Sequence, residues 1–225
     1  MMAETTKKGE FISIDFIARI KGSDKIFDLT DADVAKKEGI YQENKEYKPL
    51  IVCLGAGHLL KGLDRALTDA EIKKQLEVEV LPEDAFGKRN SKLIKLTNIK
   101  QFKDKGVTPV PGLQLGIDGA LATIRSVSGG RVIIDFNHPL AGRTLLYDVK
   151  IIKKITDTKE KIAGLIHLLT ELNESDYSLD VTDKEIKVDI KKDMPKDVLE
   201  TVKKQITKFI PESKKKEIKI TTKTK

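Results

Sequence analysis

The chain has 225 residues, of which 39% are hydrophobic and 34% are charged. This balance is typical of a globular protein with enough chain to build hydrophobic cores, and it argues against a disordered or fibrous protein. Every apolar run is shorter than the roughly 20 residues that a transmembrane helix needs. The N-terminal MMAETTKKGE lacks the apolar segment of a signal peptide, so we expect a cytoplasmic protein without a membrane partner.

The formal net charge of +7 is concentrated at one end of the chain. Residues 203–225 hold nine lysines against two glutamates, so the remainder is nearly neutral. Such a surface can bind nucleic acid or an acidic partner. Neither interleaved aromatic residues nor clustered arginines, which would contact bases, accompany the lysines. We therefore favour a solvated lysine-rich face over a nucleic-acid site.

The first part of the chain predicts two strands and a short helix. FISIDFIARI, residues 11–20, alternates apolar and other residues with the period of a strand. KIFDLT, which contains Phe27 and Asp28, predicts a second strand. TDADVAKKEG then predicts a short helix with Thr30 as its N-cap and Gly39 at its end.

The stretch IVCLGAGHLLKGLDRAL, residues 51–67, organises the rest of the chain. It predicts a short strand, a tight turn at Gly55 and Gly57, and an amphipathic helix. Residues four apart share a helical face, so we expect Leu59 and Leu63 to line one surface. If that face is covered, the leucines belong to the core; if it is open, they form the floor of an apolar pocket.

These motifs form an ordered set with two others. LPEDAFG, residues 81–87, follows a strand that alternates through QLEVEV, and TLLYDVKI lies at residues 144–151. The set resembles an FKBP-type peptidyl-prolyl cis-trans isomerase, which implies an α+β fold with an antiparallel sheet wrapped on one helix. An ordinary member joins the last two motifs by a short flap. Here about sixty residues separate Phe86 from Tyr147, so a segment has been inserted.

The inserted segment reads as several short strands with a Ser128-Gly129-Gly130 turn between two of them. It ends in NHPLAG, which is similar to the return motif of the SlyD branch. In that branch the insert is a small β-rich domain that holds unfolded chains, and the resemblance implies the same for residues 90–137. The isomerase domain would then comprise residues 1–89 and 138–155.

Residues 156–225 predict a C-terminal domain with the order α-β-β-α-β. Asp157 and Glu160 have the spacing of a capping box before the first helix, and Pro195 suits the first turn of the second. The segment resembles the extra module of long archaeal members. About seventy residues bury only a modest core, so homodimerisation through this module is a reasonable hypothesis.

The implied reaction is rotation about X-Pro bonds, whose barrier is about 18–20 kcal/mol. It needs no nucleophile and no cofactor. The planar amide is more polar than its twisted transition state, so an apolar pocket lowers the barrier. The resemblance implies a pocket formed by Phe16, Phe27, Asp28, Leu59, Leu60, Leu63, Phe86 and Tyr147.

The resemblance also implies a set of further substrate-binding residues around that pocket. The four apolar residues within the insert are either part of a small core or an exposed patch that binds clients, and the residues alone leave both open. The full set is Leu50, Ala85, His138 and Leu140 near the pocket, and Val107, Val110, Leu113 and Leu115 in the insert.

Two residues depart from the usual family pattern. Leu63 replaces a tryptophan found at the pocket floor of many members, and Phe86 stands where a tyrosine is usual, which removes a hydroxyl. The histidines are scattered and no Cys or His cluster has metal-ligand spacing, so we expect no metal. The expected partners are unfolded or proline-containing polypeptides. The alternative function is a holdase chaperone with little isomerase activity.

Overall fold

The computed structural model describes residues 4–222. The chain forms two compact units: the residues up to Val80 together with those from Leu145 onward, and Leu81–Thr144. The predicted α+β class, with antiparallel sheets and few helices, is confirmed. The three predicted domain boundaries stay a prediction.

The secondary structure comprises twelve strands and five α-helices within the described residues. The strands are β1 (Phe11–Ile20), β2 (Ile26–Leu29), β3 (Leu50–Cys53), β4 (Gln75–Val80), β5 (Ile94–Asn98), β6 (Gln114–Ile117), β7 (Ala120–Ser128), β8 (Arg131–Asp135), β9 (Leu145–Ile155), β10 (Tyr177–Val181), β11 (Glu185–Ile190) and β12 (Glu217–Thr222). The helices are α1 (Ala32–Lys37), α2 (Lys61–Leu67), α3 (Lys100–Lys103), α4 (Thr158–Thr170) and α5 (Lys196–Phe209).

The first unit is built on a five-stranded antiparallel sheet in the order β2-β1-β9-β4. β3 also pairs with β1, next to its first four residues, while β2 pairs with the other half. The predicted strand at residues 11–20 is confirmed. Its alternation buries Ile12, Ile14 and Ala18 completely, which is the reason why the strand forms the centre of the sheet.

Helix α1 begins one residue later than predicted. Its N-cap is Asp31, whose carboxylate accepts hydrogen bonds from the N–H groups of Asp33 and Val34. Thr30 is buried instead, where its hydroxyl accepts from the Phe16 N–H at 2.9 Å. The predicted N-cap was therefore wrong, because the Thr30 hydroxyl is hydrogen-bonded to Phe16 of β1 and does not cap the helix.

The turn between β3 and α2 confirms the two predicted glycines. Gly55 and Gly57 adopt φ angles of 75° and 79°, which favour residues without a Cβ. Helix α2 begins at Lys61, with Leu60 as its N-cap, and it buries Leu63. Leu59 precedes the helix, so the prediction that it shares a helical face with Leu63 was wrong.

The second unit contains a four-stranded antiparallel sheet in the order β5-β8-β7-β6. Its two hairpins have two-residue loops, Asp118-Gly119 and Gly129-Gly130, with positive φ at both positions. This is the geometry that matches the twist of paired strands, and it confirms the turn predicted at Gly129-Gly130. The fully buried residues of this core are Phe102, Ala122, Ile124, Val132 and Ile134.

The C-terminal segment forms a three-stranded sheet in the order β10-β11-β12, together with α4 and α5. The core of this segment continues into the first sheet, because Phe11 of β1, Cys53 of β3 and Ile155 of β9 belong to the same buried cluster. Helix α4 lies so close to β3 that a Cβ on Gly164 would be 2.5 Å from Ile51 Cγ2. The segment is therefore packed onto the first sheet without a gap.

Candidate functional site

Three aromatic rings meet on the sheet of the first unit. Phe16 on β1, Phe27 on β2 and Tyr147 on β9 come together because β1 pairs with both other strands. The Tyr147 ring centroid lies 5.8 Å from that of Phe16 and 6.0 Å from that of Phe27, the second pair being edge-to-face. These are favourable aromatic geometries. The structure thus brings together three of the residues that the sequence analysis assigned to the pocket, and their role in a pocket stays a prediction.

Asp28 is the carboxylate next to this aromatic cluster. Its Oδ1 accepts hydrogen bonds from Lys45 Nζ at 2.7 Å and from the Leu29 N–H at 2.9 Å. Burial, and then the negative charge of Asp28, raise the pKa of the Tyr147 hydroxyl well above its ordinary value. The hydroxyl therefore stays protonated and can donate a hydrogen bond across the neutral pH range.

The predicted leucines lie at different depths in the first unit. Leu63 is fully buried, whereas Leu59 and Leu60 are half-buried in the turn before α2. Leu50, at the start of β3, is half-buried and lines a cleft together with Phe16 and Asp28. This cleft of about 530 Å³ is also lined by His167, Leu168 and Glu171 at the end of α4.

In the second unit, LPEDAFG and NHPLAG are held side by side. The Phe86 ring stacks on His138, with centroids 4.1 Å apart and planes within 5°. The Gly142 N–H donates to the Gly87 carbonyl at 2.8 Å, which ties the two motifs together. The predicted residues Ala85 and Leu140 are half-buried in these motifs. Their proposed roles in substrate binding stay a prediction.

The interactions around Asp135, called the acidic hub, join the two ends of the insert, and the sequence analysis did not predict them. Asp135 is buried and forms ion pairs with Arg89 and with Arg125, whose Nη2 lies 2.9 Å from it. Asn137 also donates to it, and exchanges two hydrogen bonds with the backbone of Asn90. Burial alone would raise the Asp135 pKa, but the bonds from Asn137 and Arg125 and the charge of Arg89 lower it to about 2.

The apolar residues of the insert divide into a core set and an exposed set. Of the four predicted binding residues, Val107, Leu113 and Leu115 pack against the core of the insert, while Val110 is exposed. The most exposed large apolar residue is Leu96 on β5, at 61%, and it pairs directly with Ile133 on β8. The residues of the exposed set on the face opposite the core are Ile94, Leu96, Leu121 and Ile133.

A histidine joins the turn before α2 to the C-terminal segment. The Cys53 N–H donates to His58 Nδ1 at 3.1 Å, and the His58 ring lies edge-to-face with Phe209 of α5, at 5.5 Å between centroids. Burial lowers the pKa of His58, so the ring is neutral at pH 7. The turn that carries Leu59 and Leu60 is therefore fixed from the side of α5.

Two kinds of feature are absent from residues 4–222. No group of three or more His, Cys, Asp or Glu side chains is placed to hold a metal ion within these residues. Among the helices that the structure describes, none has both the length and the apolar character needed to cross a membrane.

The antiparallel sheet, the helix α2 and the aromatic cluster beside one carboxylate are consistent with an FKBP-like fold. Comparison with known proteins agrees. The family model described as "FKBP26, IF domain" matches residues 95–140. The short-type peptidyl-prolyl cis-trans isomerase of Methanocaldococcus jannaschii is 32% identical over 150 residues, which cover 67% of this chain and 94% of the relative.

Two bacterial proteins are also similar to this chain. The SlyD protein of Helicobacter pylori is 29% identical over 68% of this chain and 77% of its own length. The FKBP-type 16 kDa isomerase of Escherichia coli K12 is 26% identical over 68% of this chain and 95% of its own length. The chain belongs to the family of FKBP-type peptidyl-prolyl cis-trans isomerases, and this membership confirms the predicted enzyme class.

Proposed function

We propose that the chain accelerates rotation about X-Pro bonds in the pocket around the cluster of Phe16, Phe27 and Tyr147. The observation that carries this proposal is the geometry of the three rings, of which Phe16 and Tyr147 are buried and Phe27 is half-buried. They form an apolar, aromatic environment around one protonated hydroxyl near a carboxylate. An apolar environment favours rotation about an amide, which needs no nucleophile.

The mechanism follows from the polarity of the amide. The planar ground state is more strongly solvated by water than the twisted transition state, so removal of water destabilises the ground state more. The aromatic rings supply the dry surface. The Tyr147 hydroxyl, kept protonated by its surroundings, would donate to a carbonyl of the bound peptide and hold the bond in place.

We further propose that the chain is a long, SlyD-like member in which residues 90–137 hold unfolded polypeptides. The exposed apolar face of Ile94, Leu96 and Ile133 supports this, because contiguous exposed apolar residues mark interaction sites. Weak capture on the insert would raise the local concentration of client prolines near the pocket. A cytoplasmic location and homodimerisation through the C-terminal segment stay predictions.

A reciprocal pair of variants tests both activities. We expect Phe27→Ala to lower the acceleration of cis/trans exchange in a short X-Pro peptide, followed by NMR, by about ten-fold or more, since an aromatic contact and its apolar area are worth more than about 1.4 kcal/mol. The same variant should still suppress aggregation of an unfolded client. The matched variant Leu96→Ser should weaken that suppression and leave peptide exchange unchanged.

The alternative, a holdase with little isomerase activity, makes a different prediction. In that case the intact protein would suppress aggregation but would not accelerate peptide exchange at any concentration. Loss of both activities in Phe27→Ala, with the fold intact, would show that capture and catalysis use one site and would contradict the division proposed here.

A further inference from the structure

The cleft beside the aromatic cluster has the size and lining of a ligand subsite. Its volume of about 530 Å³ lies within the range of about 300–1,000 Å³ that is typical of ligand clefts. Phe16, Leu29 and Leu50 supply apolar surface from the sheet, and Leu168 supplies it from α4. The cleft is thus formed jointly by the first sheet and the C-terminal segment.

The cleft adjoins the aromatic cluster through Phe16, the one ring of the three that lines it. Phe16 lines the cleft and its ring lies 5.8 Å from Tyr147, while Asp28 lines the cleft and acts electrostatically on the Tyr147 hydroxyl. An extended peptide advances about 3.3 Å per residue. A polypeptide with its proline at the cluster would therefore place a residue one or two positions away in the cleft.

The charges in the cleft are unequal. Lys45 pairs with Asp28 and Lys48 pairs with Glu46, each at 2.7 Å, so both lysines are matched within the cleft. Glu171 is the additional acid, and it is an exposed residue at the C-cap of α4. Three carboxylates thus face two lysines and one histidine, His167, whose Nδ1 lies 3.9 Å from Glu46. The carboxylates outnumber the lysines, which favours a cationic ligand group.

We propose that this cleft is a second subsite, which takes a Lys or Arg side chain of the client within two residues of its proline. The inference rests on the proposed isomerase function and adds a sequence preference to it. The aliphatic stem of the basic side chain would lie on Leu50 and Leu168, and its charged end would reach Glu171. The C-terminal segment would then select substrates as well as complete the core.

Peptide pairs test the proposal with the full-length protein. Each peptide has one proline and carries Lys, Met or Glu at a position one or two residues from it; exchange is measured by NMR and binding by chemical-shift titration. We expect Lys peptides to be preferred over Glu peptides by about three- to ten-fold at low salt, with a smaller ratio at high salt, as for a partly exposed ion pair.

Glu171→Gln should reduce the Lys/Glu ratio to near one in both measurements. The matched control Glu200→Gln removes an exposed acid of α5 that does not line the cleft, and it should keep the ratio of the unmodified protein.

The two measurements separate the two claims. If no peptide is accelerated, the isomerase function fails, and the binding titration still decides the subsite. If Lys and Glu peptides bind and exchange equally, or if the preference survives Glu171→Gln, the subsite is overturned while the isomerase function stands.

Discussion

The C-terminal segment and the insert are both additions to a compact FKBP fold, but they are built in opposite ways. The C-terminal segment shares one buried cluster with Phe11, Cys53 and Ile155 of the first sheet. The insert has a separate small core and leaves Leu96 and Ile133 exposed on its other face. The difference indicates that the C-terminal segment stabilises the first sheet, whereas the insert keeps an apolar face exposed.

Removal of each region should have opposite consequences. Truncation after Ile155 would expose Phe11, Ile51 and Cys53 to water. Exposure of a large apolar side chain costs about 1.5–3 kcal/mol. The summed loss in the free energy of unfolding would therefore approach the whole stability of a domain. We expect the truncated chain to be unfolded or aggregated by circular dichroism. Replacement of residues 90–137 by a short Gly-Ser linker should leave a cooperative thermal transition.

The opposite result would contradict the proposed difference between the C-terminal segment and the insert. A truncated chain that unfolds with the same urea midpoint as the full chain would show that the C-terminal segment contributes nothing to the first sheet. The first sheet supplies part of the cover for the core of this segment.

The second largest effect is expected at the joint between α4 and β3. Gly164→Ala places a methyl group 2.5 Å from Ile51 Cγ2, so the helix must move. Overpacking costs about 1–3 kcal/mol, of which the better helix propensity of Ala returns up to about 1 kcal/mol. Urea unfolding measures the loss. In a double-mutant cycle, Gly164→Ala should cost less in an Ile51→Ala background than in the unmodified protein, because Cγ2 is gone although the Cβ at 2.6 Å remains. Additive effects of the two substitutions would contradict a direct contact.

An intermediate effect is expected at the acidic hub of the second unit. The pKa of Asp135 is lowered to about 2, so the unfolded chain, in which an Asp titrates near about 3.9, takes up the proton first. The stability that Asp135 contributes should be present above pH 4 and be lost as the pH falls toward 2.

Asp135→Asn should remove this dependence and cost about 1–3 kcal/mol at pH 7, because two arginines lose their buried partner. Hydrogen exchange of β7 and β8 reports on this unit. The exposed hairpin residue Asp118 provides the control, since Asp118→Asn should change neither quantity. An unchanged acid profile in Asp135→Asn would contradict the role of the hub.

The smallest effect is expected at His58. Its pKa is lowered by burial, so protonation opposes folding, and stability should fall as the pH drops below the ordinary histidine value of about 6.5. His58→Asn keeps an acceptor for the Cys53 N–H but cannot be protonated. We expect its unfolding free energy to vary less between pH 7 and pH 5, and an identical slope in both proteins would contradict the assignment.

Much of the local structure could be predicted from the sequence. The strand at residues 11–20 follows from the apolar residues at every second position from Ile12 to Ile20. The start of α4 follows from Asp157, whose carboxylate accepts from the Glu160 N–H at 2.8 Å. Thr30 and Asp31 show the limit of such signals. Both are good capping residues, and only the pairing of β1 with β2 decides that Thr30 is used in the sheet.

The sequence could not predict which faces of the strands are packed against other elements. Alternation shows which residues share a face and is silent on what covers it. Ile94 and Leu96 alternate like core residues, yet they are exposed. Phe11 lies on the face opposite Ile12 and Ile14 and is nevertheless buried, because the C-terminal segment covers it. A large apolar residue on the second face of β1 was the one available hint.

The aromatic part of the site was predictable because it rests on ordered motifs in paired strands. Phe16, Phe27 and Tyr147 lie on adjacent strands whose register follows from the fold. The contribution of α4 to the cleft was not predictable, since His167, Leu168 and Glu171 lie more than a hundred residues from β2 and form no motif with it. Only the packing of α4 on β3 brings them to the site.

Native-state hydrogen exchange of the full chain, resolved by segment, tests the contrast between the two additions most directly. The shared core predicts that α4, α5, β1 and β9 open together with one free energy, and that β7 and β8 open separately with a lower one. Opening of α4 and α5 at a lower free energy than β1 would contradict the claim that the C-terminal segment and the first sheet form one cooperative unit.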